Sequence, residues 1–211
     1  KHRMTTTAES EIINIYIFSP QASQEELDKL EDYLQYRYDE EYGTEGRIQQ
    51  VNVVWNSSST VDSAQKMVNL LAGRNGDILI MPYFEDEIYL DMYIGNFPEM
   101  FAEIEYCFEE GAPLEYVDKS EGSGQYVSPY TAVYEYTDEK GDVLEASLTC
   151  GIDLKRCGSL GSVIGTAGKC ETMDFAMVLF SYAGYGAENA DFTENNAENF
   201  AVMRWITDYY V

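Results

Sequence analysis

The first apolar run begins at Ile12, where Ile12, Ile13, Ile15, Tyr16, Ile17 and Phe18 follow almost without a polar break. Such continuity marks a strand covered on both faces. Ser19-Pro20 ends it. Ser23-Gln24-Glu25-Glu26 has the form of a capping box, and Leu27, Leu30, Leu34 and Tyr38 follow at helical spacing, which predicts a helix to about Glu41. Gly43 and Gly46 stop it. Ile48 to Trp55, rich in valine, reads as a second strand, and the turn Asn56 to Ser59 can cap a helix whose expected buried stripe is Ala64, Met67, Val68 and Leu71. After Gly73, the run Asp77-Ile78-Leu79-Ile80-Met81-Pro82 supplies a third buried strand. The pattern is β-α-β-α-β, with strands expected parallel and crossovers right-handed.

Tyr83-Phe84-Glu85-Asp86-Glu87 leads into an aromatic, acidic region from about Ile88 to Glu110, read as helical and split in two at Gly95 and Pro98. Beyond Gly111 the period changes to alternation. Tyr126 to Tyr136 and Val143 to Cys150 flank a polar turn and predict a β-hairpin. Gly151 to Lys169 reads as a glycine-rich loop, Met173 to Tyr182 as another buried strand, and Thr193 to Tyr209 as a last helix with Ala197, Phe200, Ala201 and Trp205 inward. The expected fold is α/β: a three-layer open sheet, mostly parallel, with a hairpin insertion. Residues 1–10 read as a leader and 11–211 as a single domain, the insertion occupying about 111–171.

Composition narrows the function. The 45% of hydrophobic residues is enough to build a core despite a formal net charge of −25 from 38 acidic and 13 basic side chains. That charge repels phosphate backbones, and no basic cluster reverses it, so nucleic acid is excluded as a partner. The single histidine, His2, lies in the polar leader, which removes Ser-His, Cys-His and His-metal chemistry from a folded site. No run approaches the roughly 20 apolar residues of a membrane span. Lys1-His2-Arg3 and the polar residues after it read like a linker behind a removed signal or anchor, which places the domain outside the cytoplasm; an arbitrary domain cut is the alternative.

Candidate chemistry is sparse. Cys150, Cys157 and Cys170 share one stretch, compatible with a disulfide in an oxidising compartment or with buried thiols, and no paired C-x-x-C spacing suggests zinc. A phosphate loop built on Gly158, Gly161, Gly165, Gly168 and Lys169 would need glycine where Val163 stands, so a long connection is the better reading. Asp39, Glu40, Glu41 and Glu45 could hold a hard cation, but they lack alternating EF-hand spacing and read as a solvated helix end. No metal or cofactor is expected. Tyr83, Tyr89, Tyr93, Tyr126, Tyr130, Tyr182 and Tyr185 could line a groove for a sugar or peptide, or cover sheet and helix faces. An enzyme would have to use carboxylates or a pair such as Ser162 with Lys169, and a non-enzyme is expected.

The succession Ile12-Ile13-Asn14-Ile15-Tyr16, a capped helix, Val51-Asn52-Val53-Val54, a helix ending Asn69-Leu70-Leu71-Ala72-Gly73, and Gly76-Asp77-Ile78-Leu79-Ile80-Met81-Pro82 resembles the first lobe of type II extracellular solute-binding proteins. Asp174 to Ser181 and the helix Asn195 to Tyr209 look like the strand and helix that return to that lobe. The resemblance covers about residues 11 to 110 and 172 to 210, and only about 60 residues, Gly111 to Glu171, stand where the family builds a second lobe. It therefore implies a truncated, single-lobe relative, similar to membrane-anchored forms of Gram-positive bacteria. In an open parallel sheet, ligands sit outside the carboxyl ends of the strands. That places Ser19, Pro20, Gln21, Asn56, Ser57, Tyr83, Phe84, Ser181 and Tyr182 on one rim. The expected function is a non-catalytic extracytoplasmic binding or sensing domain tethered to the membrane. Its partner is an unidentified small molecule or peptide, or a membrane-associated protein. The alternative is an interaction module without a small-molecule ligand.

Overall fold

Strands β1 (Ile12–Ser19), β2 (Gln50–Ser57) and β3 (Ile78–Pro82) run parallel in the order β2-β1-β3, as the apolar runs predict. The computed structural model describes residues 11–83, 88–115, 128–154, 157, 160, 163–164, 174–183 and 192–210. Helix α1 (Gln24–Glu41) covers one face, packing Leu27, Leu30 and Leu34 on Ile13, Ile15 and Ile17. Helix α2 (Val61–Gly73) covers the other, packing Met67, Leu70 and Leu71 with Phe18, Leu79 and Met81. The three layers follow from this alternation.

The helix ends differ from the sequence reading. Ser23 is the N-cap of α1, yet its side chain makes no capping bond; its backbone N–H donates to the Val163 carbonyl at 3.0 Å. The capping box forms instead at α2, between Thr60 and Ser63. The inward stripe of α2 is Ser63, Met67, Leu70 and Leu71, while Ala64 and Val68 face solvent. A spacing of four, three and one fits a single helical face as well as the expected one does, so periodicity alone does not choose between them.

At the sheet's outer edge, α1 reaches over β2. Gln35 Oε1 accepts the Val51 N–H at 2.9 Å and Glu31 Oε2 accepts the Val53 N–H at 2.7 Å. Two acceptors four apart on a helix thus occupy two donors two apart on a strand, and they cover part of an edge that could otherwise pair with another chain.

Beyond β3 the expectation of two helices is half met. α3 (Leu90–Asn96) forms, but only short 3-10 turns follow, at Pro98–Met100 and Glu105–Phe108. The reason is where the backbone donors go: Ala102 N–H bonds the Leu179 carbonyl and Ile104 N–H the Thr149 carbonyl, so the segment is spent on neighbouring strands.

The sheet direction is the main correction. β4 (Ser128–Thr137), β5 (Val143–Asp153) and β6 (Phe175–Leu179) extend the sheet to the order β2-β1-β3-β6-β5-β4. The pairs β3/β6, β6/β5 and β5/β4 are all antiparallel. The molecule is a mixed α/β fold with one open six-stranded sheet, and the expectation of a mostly parallel sheet does not hold. β6 is buried at all five positions, which signals cover on both faces but carries no information on direction. The hairpin is an extension of the same sheet. Gly151 to Asp153, expected in a loop, are the end of β5 and pair with β6. Cys157, Leu160, Val163 and Ile164 of the following stretch enter the core on the α1 face.

The chain returns through α4 (Phe192–Asn195) to α5 (Ala197–Tyr210). α5 packs beside α1, with Phe200, Val202, Met203, Trp205 and Ile206 buried and Tyr209 against Tyr33 at 4.7 Å between ring centroids. Ala197, expected inward, is exposed.

Candidate functional site

The connection from β1 leads through α1 to β2 on one side, and the connection into β3 passes through α2 to the other side of β1. The carboxyl ends of β1 and β3 therefore part at a topological switch point, where open α/β sheets bind ligands. Ser19 lies there but is fully buried, and its hydroxyl is already engaged: it donates to the Gln21 carbonyl at 2.6 Å and accepts the Trp55 indole N–H at 2.9 Å. It shapes the turn that carries Gln21, which is exposed. Asn56 and Ser57 are half-buried at the end of β2, and the Ser57 carbonyl accepts the Ser63 hydroxyl, tying the rim to the start of α2.

Tyr83 follows β3 at the same end. Its N–H donates to the Asp174 carbonyl at 3.0 Å and its ring lies 5.2 Å from that of Tyr130, tilted by 33°. Burial, the nearby carboxylates of Asp153 and Asp174 and a hydrogen bond to Asp174 hold its hydroxyl well above the ordinary phenol value. Tyr130 is buried deeper and donates to the Asp91 carboxylate; burial and that bond push its hydroxyl up as well. Both phenols stay neutral at physiological pH, so they serve as hydrogen-bond donors and flat apolar faces.

Not every rim residue meets at this end. Because β6 is antiparallel to β3, Leu179 pairs with Ile78, at the amino end of β3. Ser181 and Tyr182 therefore lie at the opposite end of the sheet from Ser19 and Tyr83. The Ser181 hydroxyl donates to the Glu99 carbonyl at 2.6 Å, and Tyr182 stacks on Phe180 at 5.0 Å. Phe84 lies outside the described residues, as do Cys170, Tyr126, Tyr185, the glycine-rich Gly158 to Lys169 motif positions and the Ser162–Lys169 pair. Cys150 and Cys157 are buried free thiols in the two different core clusters, one on each face of the sheet, so no bridge joins them.

Asp91, Asp153 and Asp174 were not singled out by the sequence, being three among 38 acids. Asp153 ends β5 and Asp174 precedes β6, so strand boundaries were the available signal, and those are visible only once β5 is known to continue past Gly151. Among the described residues no group of three or more His, Cys, Asp or Glu is arranged to hold a metal ion. No helix among them is long and apolar enough to cross a membrane.

Open hollows lie elsewhere. One of about 510 Å³ lies between Glu103, Tyr106, Phe108 and the Thr131 and Thr149 hydroxyls, and one of about 350 Å³ between α1 and α5. Both arise from how elements pair in space, and no local motif marks them.

No protein-family model matches the sequence, and no curated protein matches it at a significant level. Among solved structures, similarity is found to an N-glycan transport solute binding protein from Streptococcus pneumoniae, determined in complex with Man5GlcNAc. It extends over 47% of this chain and 18% of that one, at 16% identity and a TM-score of 0.31. That neighbour is a solute-binding protein; a match this weak assigns this chain neither a family nor a ligand.

Proposed function

We propose that this domain is a non-catalytic, extracytoplasmic ligand-binding or sensing module, a truncated relative of one lobe of a solute-binding protein, tethered to the membrane as in Gram-positive bacteria. The observation that supports it best is the half-buried Tyr83 beside Asp153 and Asp174 at the carboxyl end of β3. An aromatic face with carboxylate acceptors around it suits a small molecule or peptide that offers apolar surface together with hydroxyl or ammonium donors. A single lobe does not enclose such a ligand, so affinity is modest and the reading is of a sensor more than a trap.

Thermal-shift screening against sugars, amines and short peptides tests the proposal. At least one class should raise the midpoint, and Tyr83→Ala should abolish that rise; a silent screen would end the reading. Localisation is tested separately, by fractionating source cells and probing the full-length protein with external protease.

A second reading is an interaction module without a small-molecule ligand. It draws on Val133, Tyr136, Val143 and Leu144, which are 58%, 46%, 65% and 41% exposed near the turn of the β4–β5 hairpin. Pull-down with the wild-type domain and with a Val133→Lys, Val143→Lys variant distinguishes it, since only that reading requires the hairpin.

A further inference from the structure

The hollow between α1 and α5 has a composition unlike the rest of this acidic molecule. Its floor holds the buried rings of Trp205 and Phe200, and its walls carry Arg37, Glu41, Arg204 and Asp208. Two of the 13 basic residues of the chain thus meet two carboxylates around one space, with a local formal charge of zero in a protein of −25.

The two guanidinium groups are underused. Arg37 lies over the Trp205 ring at 5.4 Å from its centroid, and Arg204 gives one bond to the Pro113 carbonyl at 3.3 Å. Glu41 stands four residues after Arg37, and Asp208 four residues after Arg204, within reach for helical ion pairs but in the less favourable order, base before acid. Neither pair closes: among the described residues the ion pairs are those of Lys29 and Arg47. Each guanidinium has five fixed donors and a strong preference for planar carboxylates, so most of the donors here face the hollow or solvent.

The ligand chemistry follows by elimination. A simple anion matches the arginines but is repelled by the field of the whole protein and by Glu41 and Asp208. A simple cation is drawn by that field but meets two guanidinium groups. A zwitterion carries no net charge, so the long-range field does not oppose it, and it offers a carboxylate to the arginines and an ammonium to the acids. The volume of about 350 Å³ lies at the small end of ligand sites. We propose that this hollow binds a free amino acid with an apolar side chain: its carboxylate on Arg37 and Arg204, its ammonium toward Glu41 and Asp208, and its side chain on Phe200 and Trp205. The site is distinct from the Tyr83 rim and does not depend on it.

Isothermal titration calorimetry tests this with L-leucine and L-phenylalanine, and with two leucine analogues, 4-methylpentanoate lacking the ammonium and 3-methylbutylamine lacking the carboxylate. At least one amino acid should bind, with each leucine analogue about tenfold or more weaker than leucine if leucine is bound, the loss expected for one charge-assisted hydrogen-bonding group. Arg204→Gln, on an exposed side chain, should weaken binding by a similar factor with an unchanged melting curve, while Tyr83→Ala should leave it intact. Absence of heat with both amino acids overturns the proposal. Equal binding by the carboxylate makes the hollow an anion site, equal binding by the amine makes it a cation site, and either also overturns it. Loss of binding in Tyr83→Ala with Arg204→Gln unaffected would move the ligand to the rim and remove this site.

Discussion

The carboxylate of Glu198 accepts a hydrogen bond from the Tyr38 hydroxyl at 2.8 Å, joining α1 to the first turn of α5 across 160 positions of sequence. The same carboxylate receives the Arg47 N–H at 3.0 Å and its Nε at 3.3 Å, and the Tyr38 oxygen accepts the Ile48 N–H at 2.9 Å. Tyr38 is fully buried. Tyr38→Phe therefore leaves the Ile48 donor and one carboxylate site without a partner, at a cost of about 1–3 kcal/mol. Urea unfolding should show a lower midpoint at unchanged slope, and an unshifted midpoint would mean that the network adds nothing to stability.

Gly151 and Gly111 separate two reasons for a glycine. A Cβ at Gly151 would overlap the Met177 carbonyl and the Val178 Cα, both backbone atoms of β6 that cannot yield without opening the β5–β6 pairing. Gly111 has open space around it but a φ of +80°. Gly151→Ala should cost more than about 4 kcal/mol, in the range of the most damaging core changes. Gly111→Ala should cost about 1–2 kcal/mol, from conformation alone. Comparing the two melting temperatures checks the order.

Asp91 gives a pH dependence of known sign. Burial raises its carboxyl above the ordinary value of 3.8, and the hydrogen bond from Tyr130 offsets part of the rise. A folded-state value above the unfolded one means that stability is fully present when the group is protonated and is lost as pH rises through the folded value. Asp91→Asn, which keeps an acceptor for Tyr130, should match the parent at about pH 3 and exceed it at about pH 7. A difference in melting temperature that does not grow with pH would contradict this.

Burial also governs the thiols. The Cys157 thiol is pushed up to about 11 by burial and by Asp153, and the Cys150 thiol is raised further, by burial first and then by Glu103 and Asp91. Neither supplies appreciable thiolate at about pH 8, and thiolate is the reactive form. Iodoacetamide at that pH should modify Cys150 and Cys157 only after denaturation, as mass spectrometry of the labelled peptides would report.

The parts of the fold legible in the sequence are those whose signal is local. The parallel β1, β2 and β3 and the helices between them follow from apolar runs of the right length and from the glycines that end them. The hairpin follows from alternation around a polar turn. What escaped is relational. Nothing in Phe175 to Leu179 states which neighbour it pairs with or in which direction, and the placement of Ser181 and Tyr182 depends on that. The second helix after β3 was lost to hydrogen bonds with Leu179 and Thr149, distant positions that no window contains. At the rim, Ser19 and Tyr83 were reachable from strand ends, whereas Asp153 and Asp174 come beside Tyr83 only through the antiparallel β5 and β6.

The antiparallel seam between β3 and β6 also sets the order of assembly. Ile78 pairs with Leu179, 179 − 78 = 101 positions later, while β1, β2 and β3 are linked by nearby helices. Closing so long a loop costs entropy before its contacts are gained, so the first half can form well before β6 arrives. Until then β3, buried along its whole length in the finished molecule, has one edge of unpaired backbone beside the side chains of Ile78 to Met81. The half-made sheet is therefore the species most exposed to self-association, and the hazard ends when β6 docks.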